Sequence, residues 1–372
     1  MKATATIKAL AISSLALLTA ACSNDESAQT TSDILVGVHR DNHLWVADVD
    51  QRKVIQHCDL PGRFGLGTVV LSPDNSIVYV LGDGSETVYG MKWETCELVF
   101  QANQSGDGIR AKSFASMAIS RDGRELYTIQ NRTRLLSDEF QILPPVLAVY
   151  DTASGTTAKP IRTFQVPRVN LTMAVDKNGM VYSHGPDLRS FDPNTGEVKT
   201  VLEGRAKQVP LETPPDGISA WNNGNHTGEF IKAYTTVKFA DESYDMNTAE
   251  LWWGYQRIDL ETGEATDKLF GQYQAPIFSG ATRPGDTNLY YGILNQLMKY
   301  DVENKELLKI VDLDHAYYQL SFSPKGDRIY LGGTLGDIAI YDPDTLEKLG
   351  NIELPDNGDM AMSSFQVFAK VK

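Results

Sequence analysis

The sequence predicts an all-β fold, a single seven-bladed β-propeller closed by strands from both chain ends. Three observations predict it. The stretch 318–354, YQLSFSPKGDRIYLGGTLGDIAIYDPDTLEKLGNIEL, holds an apolar strand, a Ser-Pro-Lys-Gly turn and an alternating strand at 328–331, then a Gly-rich turn, a second alternating strand at 337–341, an Asp342-Pro343 turn and a polar strand ending at Leu354. Such a four-stranded unit cannot bury both of its faces alone, and weaker copies of it recur at a period of about 40 to 45 residues, which implies radial stacking. Finally, the first unit (34–60) lacks an opening apolar strand, while 361–368 is a spare strand. Joining the two completes a blade and removes sheet edges that would template aggregation.

In chain order, the segment MKATATIKALAISSLALLTAAC combines Lys2 and Lys8 with an apolar run and small residues before Cys22. It reads as an export signal over 1–21, too short to span a membrane. Leu18-Thr19-Ala20-Ala21-Cys22 resembles a lipobox, so Cys22 is the expected lipid attachment point, giving a periplasmic protein anchored to a membrane. Ser23 favours the outer membrane. Residues 22–33 lack apolar side chains beyond Ala28 and read as a flexible tether, followed by one propeller domain over 34–372.

Repeat units follow near 66–103, 114–166, 170–203, 215–270, 276–312 and 317–354, each opening on an apolar run. Ser-Pro-Asp-Asn and Arg-Asp-Gly stretches supply the hairpin turns. Third strands end on an acid before a turn: Asp48, Asp151, Asp192, Asp259, Asp301 and Asp342. Each can bond its own turn backbone, which is reason enough for an aspartate there. Two units are too long, by 130–145 and 240–250, both between second and third strands. Loops at that place share a face with the blade-to-blade connections, and loops on a rigid scaffold are where binding concentrates.

Lys plus Arg total 34 against 48 Asp plus Glu, a net charge of −14. This argues against nucleic acid and against membrane binding other than through the anchor. With Cys22 lipidated, Cys58 and Cys96 stand at corresponding outer places of consecutive units, which predicts a disulfide between the first two blades in an oxidising compartment. No Cys-x-x-Cys-His is present, so no c-type haem attaches to this chain. Nor does any catalytic or phosphate-binding motif occur, and the six histidines show no ligand spacing, so no metal is expected. Read from its residues, the chain is a binding or scaffold propeller.

Four stretches add a family resemblance: FQILPPVLAVYD at 140–151, PPDGISAW at 214–221, LDHAYYQLSF at 313–322 and LGGTLGDIAIYDPDTLEKLGNIELP at 331–355. Their order resembles the β subunit of quinohaemoprotein amine dehydrogenase over almost the whole mature chain. The resemblance implies a non-catalytic subunit that packs on a small γ subunit carrying cysteine tryptophylquinone, beside an α subunit with two c-type haems, and helps enclose a primary-amine pocket. Such a pocket needs apolar walls. The candidates for it, or for the partner face, are Arg134 and Phe140 from the long loop, Pro215, Asp216 and Trp221 from one connection, and His315, Tyr317 and Tyr318 from another. A lipid-anchored N-terminus departs from that family and leaves open a second class, a stand-alone lipoprotein propeller that binds a ligand or envelope protein.

Overall fold

The computed structural model describes residues 31–65, 67–217 and 227–371. Strands β1 (Thr31–His39), β2 (His43–Asp48) and β3 (Lys53–Asp59) open the chain; β4 (Thr68–Leu71), β5 (Ile77–Gly82), β6 (Thr87–Lys92) and β7 (Glu97–Asn103) form the second blade. The third holds β8 (Ile109–Lys112), β9 (Met117–Ile119), β10 (Glu125–Leu135), β11 (Phe140–Ile142), β12 (Val146–Asp151) and β13 (Arg162–Gln165). The fourth holds β14 (Met173–Val175), β15 (Val181–His184), β16 (Leu188–Phe191) and β17 (Val198–Leu202), and the fifth β18 (Glu229–Lys238), β19 (Glu250–Asp259) and β20 (Ala265–Gln272). The sixth is β21 (Ser279–Arg283), β22 (Asp286–Ile293), β23 (Gln296–Asp301) and β24 (Glu306–Asp312); the seventh is β25 (Gln319–Phe322), β26 (Ile329–Gly332), β27 (Asp337–Tyr341) and β28 (Lys348–Glu353). The last strand, β29 (Phe365–Val371), returns to the first sheet in the order β29-β1-β2-β3.

This is the expected seven-bladed propeller with the expected closure, shifted at its edges. The ladder runs from Thr31↔Val371 to Gly37↔Phe365, so β1 starts three residues before the expected domain boundary at 34. Residues 31–33, read as tether, are in fact strand, because Thr31, Ser32 and Asp33 find backbone partners on β29 and Ser32 Oγ donates to Asp48. The signal segment, Cys22 and the rest of the tether lie outside the described residues. So does the fifth blade's expected opening strand, Trp221 included.

The core sits between blades. One apolar cluster joins Val36, Val46, Val80 and Trp93 of the first two blades; another joins Trp45, Ile338, Phe365 and Val367 of the seventh and first. Space for Phe365 comes from two glycines, since a Cβ on Gly37 would lie 3.0 Å from Phe365 Cβ and one on Gly332 would lie 3.1 Å from its ring. The turn aspartates act as expected: Asp192 and Asp342 accept from the backbone N–H two residues on, at 2.8 Å each. Cys58 and Cys96 form the expected disulfide, tying β3 to the turn between β6 and β7.

Two predictions follow from the closure and the crosslink. Phe365→Ala should lower the melting temperature by roughly 5–10 °C, because truncating a fully buried Phe costs about 3–5 kcal/mol, while Val371→Ala at the exposed strand end should leave it unchanged; calorimetry on both variants checks this. Cys58 and Cys96 should resist a thiol reagent in denaturant until reduced. Reduction should then cost about 4 kcal/mol in the loop-entropy estimate for a separation of 38 residues, measured by urea unfolding with and without reductant.

Candidate functional site

Strand direction sets the two faces of the ring. Each second-to-third-strand loop lies on the same side as the blade-to-blade connections, and the structure joins them there by hydrogen bonds. In the third blade β10 runs past the sheet and pairs with connection strand β8 on one side (Asn131↔Lys112 to Arg134↔Ile109) and with β11 on the other. In the fifth blade the connection bridges Glu212↔Lys238 and Asp216↔Thr235. The two long loops are therefore ordered projections.

Their tips are apolar and exposed. Phe140 is 74% exposed, Ile142 67% and Met246 66%, with Leu135, Leu136 and Tyr244 also exposed. Burying such side chains is favourable by about 25 cal/mol per Å2, so a surface that displays several together is suited to docking. Arg134 lies on the same projection and donates to Gln141 at 3.1 Å.

Nearer the axis, where connections turn into inner strands, two adjoining cavities share Ala361. One, of about 470 Å3, is lined by Arg40, Phe64, Lys112 and Phe114 among others. The second, of about 370 Å3, is lined by His315, Tyr318, Leu335, Asp359 and Met362 among others. Arg40 and Asp359 approach to 3.5 Å across their boundary. Tyr318 packs its ring 4.6 Å from Phe278. A separate cavity of about 330 Å3 opens on the opposite face between inner strands, walled by Val70, Ala118, Val175 and Val367 with the turn residues Pro73 and Arg121.

The candidates divide accordingly. His315 and Tyr318 line the second cavity. Tyr317 does not: it is fully buried, and its hydroxyl donates to Asp337 at 2.8 Å. Burial and the Asp337 charge push its phenol far above the usual value, so it acts as a fixed donor inside the core. Pro215 is buried too and offers no wall, whereas Asp216 is exposed and is held through its backbone by Thr235. Phe140 and Arg134 belong to the third-blade projection and are not among the residues that line the His315 cavity. Both ring nitrogens of His315 are engaged, Nε2 at 2.8 Å from Asp337 and Nδ1 at 2.8 Å from the Ala316 carbonyl. This locks the imidazole and leaves neither nitrogen facing the cavity without a partner.

Three histidines that show no ligand spacing in the sequence nonetheless meet in the fold. His39, His43 and His57 converge at the rim of the first blade, with ring centroids 4.4 to 5.5 Å apart. The cross-strand registers His39↔His43 and Trp45↔His57 bring them together. His39 and His43 flank one hairpin turn, but His57 comes from strand β3, so only the strand register brings it to them.

No family model matches the sequence, and no curated protein matches it. Among solved structures, one titled "Dihydro-heme d1 dehydrogenase NirN in complex with DHE" is similar, with a TM-score of 0.51 at 13% identity over 90% of this chain and 74% of that one. At that identity the likeness shows the propeller fold alone.

One buried group on this side gives the fold a pH dependence. His184 is fully buried against the Phe230 ring at 4.2 Å. Burial, and secondarily the Lys232 charge, holds its pKa well below 6.5. The imidazole is neutral in the fold and gains a proton on unfolding, so its contribution is present above 6.5 and is lost as pH falls below it. Stability should therefore drop by up to about 1.4 kcal/mol per pH unit below that point. His184→Phe should flatten that slope in urea melts taken across the range; an unchanged slope would refute the assignment.

Proposed function

We propose that this chain is a non-catalytic docking subunit: the β-propeller of a periplasmic amine-oxidising quinohaemoprotein complex, seating a small quinone-bearing subunit on its connection face next to a dihaem cytochrome. The observation that carries the docking role is the display of Phe140, Ile142, Leu135 and Met246 on two ordered projections of one face. The family resemblance at 140–151, 313–322 and 331–355 names the partner. Tyr318, Leu335 and Met362 give the second cavity apolar walls suited to an amine's hydrocarbon tail. Cysteine tryptophylquinone and the two haems belong, on this reading, to the other subunits.

Anchoring fits the same geometry. β1 rises toward the connection face, so its first residue, Thr31, lies on the opposite side, as does Val371 at the end of β29. A lipid on Cys22 would then place the membrane beneath that opposite side and turn the docking face toward the periplasm. The intervening residues reach at most about 30 Å.

The test is co-purification from envelope extract of cells grown on a primary amine. The chain should recover a haem-staining protein and a small subunit, while the isolated chain shows neither haem nor quinone absorbance. Phe140→Asp and Ile142→Asp should reduce recovery about tenfold or more, with smaller losses for Arg134→Ala and Asp216→Ala. Asp74→Ala and Lys325→Ala, in opposite-face turns, should leave it intact. A chain that is monomeric and colourless under these conditions would overturn the subunit role in favour of a stand-alone binding propeller.

A further inference from the structure

We propose that His39, His43 and His57 form a binding site for one divalent first-row transition-metal ion of the imidazole-preferring kind, Zn2+ or Cu2+, at the rim of the first blade. The site is independent of the docking role. Its core is a two-nitrogen bite: His39 Nε2 and His57 Nε2 face each other at 3.2 Å. Two nitrogens each about 2.1 Å from one ion at a near-tetrahedral angle lie about 3.4 Å apart, so the pair needs almost no movement to chelate.

An outer partner fixes the lone pair of His39, and His57 Nε2, which then donates to it, ligates once its ring proton has moved to Nδ1. His39 Nδ1 lies 2.5 Å from the Arg40 carbonyl, which can only accept, so Nδ1 carries the proton and Nε2 the lone pair. His43 Nδ1 lies 2.9 Å from Asp59 Oδ1 but is buried without a hydrogen bond in the present ring orientation; a turned ring would meet Asp59 in the carboxylate-histidine arrangement that commonly orients a metal-binding imidazole. In that orientation the His43 lone pair would fall on Nε2. Among the described residues no three His, Cys, Asp or Glu side chains are already placed to hold a metal ion, so His43 is the ligand that must turn to close the site. It can turn because Asp59, its partner, is 91% exposed.

The bite itself is held rigid. A Cβ on residue 358 would fall 2.4 Å from His39 Nδ1, so Gly358 closes the space behind that ring. Cys58, next to His57, is tied by the disulfide to the second blade. Asp41, Asp59 and Asp356 surround the cluster with negative charge, and Arg40, the adjacent cation, is paired with Asp359. An all-imidazole donor set favours Zn2+ or Cu2+ over Mg2+ or Ca2+.

Titration calorimetry with Zn2+ alone tests this, using the full chain without an affinity tag after chelator stripping. One saturable site is expected near neutral pH, unaffected by excess Mg2+. His57→Ala should weaken it about 30-fold or more and Asp59→Asn about tenfold. Circular dichroism reports whether each variant is folded; should His57→Ala not fold, Asp59→Asn at an exposed position decides. Absence of saturable Zn2+ binding, or wild-type affinity in a folded His57→Ala or in Asp59→Asn, would overturn the proposal.

Discussion

Everything in this molecule depends on the pairing of its last strand with its first. Each apolar cluster is shared by two neighbouring sheets, so no blade is stable without both neighbours, and a ring opened at one place exposes two faces and a sheet edge. β29 is held on three sides. It pairs with β1, Gln319 of the seventh blade exchanges hydrogen bonds of 2.7 and 2.8 Å with the Phe365 backbone, and Ser364 Oγ accepts from the Val69 N–H of the second at 2.8 Å. Tyr330 adds a bond across the seam to Asp33 at 2.5 Å. Burial outweighs that bond and raises the Asp33 pKa, so this carboxylate is a polar cost that the seam's packing must offset.

A closed ring frees its loops from any structural duty beyond joining strands. On the turn face, short hairpins are capped by aspartates that bond their own turns, and a few of them also crosslink neighbouring blades through the Cys58–Cys96 disulfide and the Arg283–Asp344 and Arg328–Asp50 pairs. The connection face differs: β10 and β18 with β19 continue beyond their sheets and carry exposed apolar tips. Locked groups such as His315, with both nitrogens engaged, suit a surface that positions a partner better than one that moves protons.

Periodic features were legible in the sequence because they are local. Ser-Pro-Lys-Gly turns, alternating strands and turn aspartates each report on a few neighbouring residues, and the disulfide followed from repeat alignment. The site was legible only to the level of which connection a residue occupies. Tyr317 and Tyr318 are adjacent, yet one is locked in the core by Asp337 and the other lines a cavity, because successive side chains of an extended segment point to opposite sides. Pro215 failed as a pocket wall for a similar reason. The histidine cluster depends on the register of β1, β2 and β3, and a one-residue slip would scatter it. The three-residue error at the tether had a different origin: Thr31 to Asp33 are polar, but their backbone still completes the β29 ladder.

The central claim is that the connection face is buried against other subunits in the native assembly. Hydrogen exchange tests it most directly, by comparing protein isolated natively from amine-grown cells with the same chain purified alone. The account predicts slower exchange in the native sample at 109–112, 131–142 and 238–251, with no change in the turns at 73–75 and 324–327. Equal exchange at the projections, or protection confined to the opposite turns, would contradict it.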